Sequence, residues 1–180
     1  MDTLHKSRIY MSNVMVGISH VDFDEIGKTI KILREARQTR NNVFIVGNGG
    51  SASTASHFAN DLLKMASIRA ISIPDMTPTT LAYGNDEGWK WMFHDPISKL
   101  YNPRDVLVAI SCSGNSENVV ICTEFIQHPL IVFTGNNDKC KLAKVNADAI
   151  IYVDSDDITI QESCHSIICH AIARILGNEM

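Results

Sequence analysis

Val43–Val46, followed by Gly47-Asn48-Gly49-Gly50-Ser51-Ala52, reads as a short apolar strand that turns on glycines into a helix running through about Leu63. Glycines after a parallel strand allow a tight turn and let backbone N–H groups approach a ligand, and the positive end of the next helix favours an anion. The spacing is not the Gly-x-Gly-x-x-Gly of dinucleotide sites and contains no Gly-Lys-Ser/Thr. The stretch therefore suits a phosphate without naming one, and a plain strand-to-helix turn would show the same glycines. The design recurs downstream, where Val106–Ile110 leads into Ser111-Cys112-Ser113-Gly114-Asn115-Ser116-Glu117. Three serines within six residues place neutral hydroxyl donors beside the N–H groups of a helix start, although serine is also a common N-cap.

Three more apolar runs, Ala70–Ile73, Leu130–Phe133 and Ala149–Val153, complete a set of five candidate strands. Continuous apolar runs separated by helix-length segments predict an α/β fold with a parallel sheet buried on both faces and right-handed crossovers. Ligands of open α/β sheets bind at the C-terminal ends of strands, which is where both loops fall. Asp24 is a cap candidate for an N-terminal helix to about Thr39, with Ile26, Ile30, Leu33 and Ala36 at helical spacing. After the acidic turn Asp154-Ser155-Asp156-Asp157, Thr159 to Leu176 reads as the last helix. Residues 1–180 read as a single domain, with a helical N-terminal segment to about residue 40 and an αβα core from about 41.

The chain carries 16 Lys and Arg against 20 Asp and Glu, a net charge of −4, and 45% of its residues are hydrophobic. No stretch approaches the ~20 consecutive apolar residues of a membrane span, and the first ten residues lack a signal-peptide core. Without a Lys/Arg run there is no electrostatic footprint for nucleic acid. Neither membrane nor nucleic acid is an expected partner, and an anionic ligand must be held by local geometry. The five cysteines, Cys112, Cys122, Cys140, Cys164 and Cys169, are odd in number and form no Cys-x-x-Cys pair. They read as reduced core thiols of a cytoplasmic protein.

His57 and Asp61 stand four apart on the helix after the first glycine loop and share a face. Such a pair serves as an acid–base couple, as half a metal site, or as a staple on a surface helix. On the last helix Glu162 and His170 lie about 80° apart and about two turns along the axis, so they converge only through extended side chains. His165 points to the other side of His170 and reads as a satisfied core histidine. Asn85 and Asp86, in Gly84-Asn85-Asp86, read as a turn between the second and third strands. Trp89, Trp91 and Phe93 are dense enough to bury one another in a core or subunit patch.

Gly-Asn-Gly-Gly-Ser at 47–51, Gly84-Asn85-Asp86, Ser-x-Ser-Gly-Asn-Ser at 111–116 and Thr134-Gly135 after the fourth strand together resemble the sugar isomerase (SIS) domain, in its phosphoheptose isomerase branch. The resemblance runs from about residue 24 to the C-terminus. It implies a five-stranded, flavodoxin-like αβα fold and the isomerisation of sedoheptulose 7-phosphate to D-glycero-D-manno-heptose 7-phosphate for bacterial surface polysaccharide. It further implies that Asp61 is the proton-transfer base and His170 its acid partner. Asn48, Gly49, Ser51, Asn85, Asp86, Ser111, Ser113, Ser116 and Glu162 are the implied substrate contacts, the serines on the phosphate. His57, Asp61, Glu162 and His170 are the implied ligands of a divalent metal, Zn²⁺ in some members. A homotetramer with active sites at subunit interfaces, bundled through the N-terminal helix, is implied as well.

The sequence also departs from the family pattern. Asp61 stands where Glu is usual, and aligned on the two histidines Glu162 replaces the family's Gln, with Gln161 displaced by one. Cys112 stands where Thr is frequent. The family's Gly-Arg after the catalytic helix is missing, leaving Lys64 as the nearest cation or as a plain surface charge. Because a displacement of about 1 Å can cost roughly a hundredfold in rate, two other readings stand beside the first: an isomerase of another sugar phosphate, and a non-catalytic SIS module that binds a sugar phosphate or a protein.

Overall fold

The structure is a computed structural model that describes residues 2–126, 129–135 and 140–179. The five apolar runs form β1 (Asn42–Val46), β2 (Arg69–Ser72), β3 (Val106–Ser111), β4 (Leu130–Gly135) and β5 (Ala149–Val153). They pair in the order β2-β1-β3-β4-β5, every pair parallel. β3 and β4 are buried along their whole length, which is why their sequences show no alternation. Val46 lies opposite Ala109, so the C-terminal ends of β1 and β3 are neighbours. Strand order reverses between them, and both glycine- and serine-bearing loops open there.

Helices cover both faces. α1 (Thr3–Ser19), α2 (Phe23–Thr39), α3 (Gly50–Ala66) and α7 (Ile158–Gly177) pack one side, where Leu33, Phe58, Leu62 and Ile172 meet Ile45, Val108, Ile131 and Ile151. α4 (Thr77–Asp86), α5 (His94–Leu100) and α6 (Glu117–Phe125) lie between the remaining strand connections. Ile97, Val119 and Ile126 cover Phe44, Leu107 and Val132 on the second face. Each such large side chain taken fully from water contributes roughly 1.5–3 kcal/mol before entropy is counted. All five cysteines are free and buried. Among the described residues no helix is long and apolar enough to cross a membrane.

Three expectations need correction. The N-terminal segment holds two helices rather than one: α1 precedes α2, and the α2 cap is Asp22, whose carboxylate accepts from the Asp24 N–H at 2.8 Å. α1 has a blurred period because it is apolar on opposite sides. Val14 and Gly17 face inward, Gly17 against Cys164 of α7, while Leu4, Met11 and Met15 face outward at 68, 63 and 64% exposure. Thr134 and Gly135 belong to β4 itself rather than following it. Asn85 and Asp86 close α4 instead of forming an isolated turn, because a helix begun by Pro78 in its first turn carries through them.

Candidate active site

α3 begins at the first loop because the chain must turn sharply after β1. Gly49 is its N-cap at φ 54°, a left-handed conformation that strains any residue with a Cβ. The first-turn N–H groups, those of Gly50 and Ser51 among them, precede any intrahelical acceptor and are free for an anion. Asn48 exchanges two hydrogen bonds with the fully buried Asn118 of α6, at 2.8 and 2.9 Å, tying the β1 loop to the β3 loop.

Across that tie the three serines converge. Ser111 Oγ lies 3.5 Å from Ser113 Oγ and 3.4 Å from Ser116 Oγ. Ser116 occupies the N-cap position of α6 but makes no side-chain cap bond, so its hydroxyl remains available to a ligand. Asn48, Ser51, Ser111, Ser113, Ser116 and Glu162 line a small pocket of about 150 Å³ with Ile110, Cys112 and Ile158. The expected contacts of the two loops are thus brought together.

Glu162 reaches this pocket because α7 runs beside α3 from its first turn, with Glu162 against Gly50, His170 against Asp61 and Gly177 against Met65. A methyl group built on Gly50 would collide with the Glu162 carboxylate, so Gly50 permits the approach. The adjacent Gln161 turns the other way, packs on Gly135 and donates to the Ser155 carbonyl at 2.5 Å. Of the two side chains, Glu162 is therefore the pocket residue.

Behind the serine loop His165 is fully buried, as its core reading required. Its Nε2 is 3.3 Å from the Thr134 carbonyl and its Nδ1 3.8 Å from Cys112 Sγ. Burial pushes its pKa down to about 4, so the ring is neutral, donating through Nε2 and accepting at Nδ1. Burial, and secondarily the Glu162 charge, pushes the Cys112 thiol up to about 11 and keeps it protonated.

Farther along the same helix pair stands a second constellation. His170 Nδ1 is 3.0 Å from one Asp61 oxygen and His57 Nε2 is 3.5 Å from the other. The two imidazoles meet edge to face with centroids 4.6 Å apart. Asp61 is nearly buried, whereas His57 and His170 are exposed, so the carboxylate lies beneath two rings that are open to a ligand. Asn60 donates to Asp61 at 3.2 Å. One donor atom from each of His57, Asp61 and His170 falls within 4.8 Å of the others, and two imidazoles with a carboxylate are a donor set suited to a divalent ion with positions left open. Of the four expected metal ligands the structure brings three together, while Glu162 lies outside this cluster, in the serine pocket.

Asn85 and Asp86 are exposed, bonded to each other at 2.8 Å, and line neither the serine pocket nor the cavity beside His57. Lys64 is likewise exposed in the last turn of α3 and lines neither. Phe93 is buried and Trp91 packs on His94, while Trp89 is half exposed. Sequence reasoning missed Asn118, whose only signal was a carboxamide just inside a helix start. It also missed Ser53, Ser56, Asn60 and Asp75, which with His57 line an open polar cavity of about 650 Å³.

The SIS domain family matches residues 9–134 of this chain. A phosphoheptose isomerase of Helicobacter pylori is 32% identical over 81% of the chain and 79% of its own length. One from Aquifex aeolicus is 31% identical over 94% of the chain and 93% of its own length. Among solved structures, a phosphoheptose isomerase from Neisseria gonorrhoeae superposes with a TM-score of 0.89 at 22% identity, over 98% of this chain and all of that one, a likeness of fold. Two loops at the strand-order reversal, a helix pair that carries His57, Asp61 and His170, and these relatives agree: the chain belongs to the SIS domain family, among relatives named phosphoheptose isomerase.

Proposed function

We propose that this chain is an aldose–ketose isomerase of sugar phosphates that converts sedoheptulose 7-phosphate to D-glycero-D-manno-heptose 7-phosphate, in the cytoplasm, for bacterial surface heptose. The observation that carries the reading is that one helix, α3, both starts at the serine pocket and bears Asp61 against His170. Asp61 lies ten residues beyond Ser51, about 15 Å along the helix axis at ~1.5 Å per residue. A phosphate held at Ser51 thus leaves the reacting carbons several bonds away, which favours a long-chain sugar phosphate over a triose.

Ser51, Ser111, Ser113 and Ser116 hold the phosphate with neutral donors, remote from the bonds that change, and Asn48 and Gly49 shape the loop around it. Asp61 takes a proton from C1 of the ketose and returns it to C2. His170, whose Nδ1 faces Asp61, leaves Nε2 to carry the proton between the C1 and C2 oxygens and to assist ring opening. Asn60 and His57 hold the Asp61 carboxylate between them. A divalent ion, Zn²⁺ by its preference for this donor set, would be held by His57, Asp61 and His170 and would polarise the substrate carbonyl. Assembly as a homotetramer with the site at subunit interfaces is supported by the exposed apolar side chains of α1 and by the openness of His57 and His170.

The test is NMR of the purified protein with sedoheptulose 7-phosphate in D₂O, with and without chelator. Aldose product carrying deuterium at C2 is the expected result, and loss on chelation with recovery on added Zn²⁺ assigns the metal. No turnover on this or any related sugar phosphate, with metal restored, would overturn the reading.

A further inference from the structure

The serine pocket has a charge problem that its phosphate reading brings out. Its lining contains Asn48, Ser51, Ser111, Ser113 and Ser116, and no lysine, arginine or histidine among the described residues. The one ionisable group aimed into it as an anion is Glu162, half-buried, with its carboxylate lying over Gly50 at the first turn of α3. That is where the unpaired N–H groups and the helix dipole hold negative charge. A volume of about 150 Å³ leaves little room for a phosphate dianion and a carboxylate side by side. Their mutual repulsion in a half-buried site is screened far less than in open water.

We propose that Glu162 is the residue that sets the affinity of the phosphate pocket: its carboxylate lies over the start of α3, and an entering phosphate must displace it. Resting on the isomerase reading of the preceding section, this gives the carboxylate a role that a carboxamide could not play. A glutamine has the same shape and still hydrogen-bonds, but does not repel a dianion. Gly50 is part of the device, because a side chain there would keep the carboxylate off the helix start. Gln161 cannot substitute for it, being committed to Gly135 and Ser155.

The experiment is calorimetric titration of inorganic phosphate into the chelator-treated full chain at fixed ionic strength, comparing wild type with Glu162→Gln and with Glu162→Gln/Ser113→Ala. Glu162→Gln is expected to bind phosphate at least about tenfold more tightly than wild type, and the added Ser113→Ala to abolish most of that gain. Thermal melts establish that each variant is folded, and Glu162→Ala, expected to shift affinity in the same direction, stands in if Glu162→Gln is not. Equal or weaker phosphate binding by Glu162→Gln overturns the inference while leaving the pocket a phosphate site. Absence of binding by both proteins overturns the inference together with the phosphate reading.

Discussion

At its first turn α3 presents backbone N–H groups, hydroxyls and amides, drawn from two loops and locked together by the Asn48–Asn118 pair. Some three turns later the same helix offers two imidazoles around a carboxylate, gathered from α3 and α7 and open to solvent on the imidazole side. Glu162 and the Cys112 thiol apart, the first end is made of neutral donors, and much of it is main chain. The second consists of groups that titrate and ligate. Recognition by main chain survives exchange of a neighbouring side chain, which is how Cys112 can sit in the serine loop without emptying it. The cluster has no such margin, since each of its three atoms comes from one residue.

The contrast yields graded expectations. Asp61→Ala should lower kcat about 10⁴-fold with KM nearly unchanged and the fold intact, read by turnover and circular dichroism. A comparable fall in substrate affinity would show that the two ends do not divide the labour. His170→Ala should cost about 10²-fold in kcat, because Asp61 keeps His57 and Asn60 while the oxygen-to-oxygen proton transfer loses its carrier.

Acid should act on the other end. His165 is held neutral by burial, with a pKa of about 4 against 6.5 when unfolded. Between these values the unfolded chain takes up a proton that the folded chain refuses. The stability His165 contributes is thus full above pH 6.5 and lost as pH falls toward 4, about 3 kcal/mol in all. Denaturant midpoints from pH 7 to 4 should fall in wild type and flatten in His165→Gln; parallel slopes would remove His165 as the cause. The smallest effect belongs to a single hydroxyl: Ser113→Ala should raise KM about tenfold, the equivalent of one hydrogen bond to a charged group, and leave kcat alone. A fall in kcat instead would mean that the phosphate end also tunes the chemistry.

The sheet was legible because burial on both faces leaves no alternation to misread, and each run from Val43–Val46 to Ala149–Val153 coincides with a strand to within one or two residues. α1 was not, because a helix that buries Val14 on one side and presents Met11 and Met15 on another has no single apolar stripe to count. In the site, Ser111, Ser113 and Ser116 could be grouped from spacing along one loop. Whether Gln161 or Glu162 enters the pocket could not, since that depends on which of two glycines, Gly135 or Gly50, each side chain crosses. Gly84-Asn85-Asp86 has the composition of a turn, and only Pro78, six residues upstream of Gly84, marks the helix that absorbs it. Asn118 was invisible for a related reason: a buried amide acquires its meaning from a partner seventy residues away.

That pairing has a consequence for how the chain can vary. Two carboxamides that each give and take one bond form a closed couple, with Asn118 fully shut off from water. Replacing Asn48 by an apolar residue strands the Asn118 donor and acceptor in the interior, at about 1–3 kcal/mol each, whereas changing both to a matched apolar pair leaves nothing unpaired. The two positions are then expected to drift together or stay fixed together across natural variants, and a library randomised at one of them alone should recover little besides asparagine.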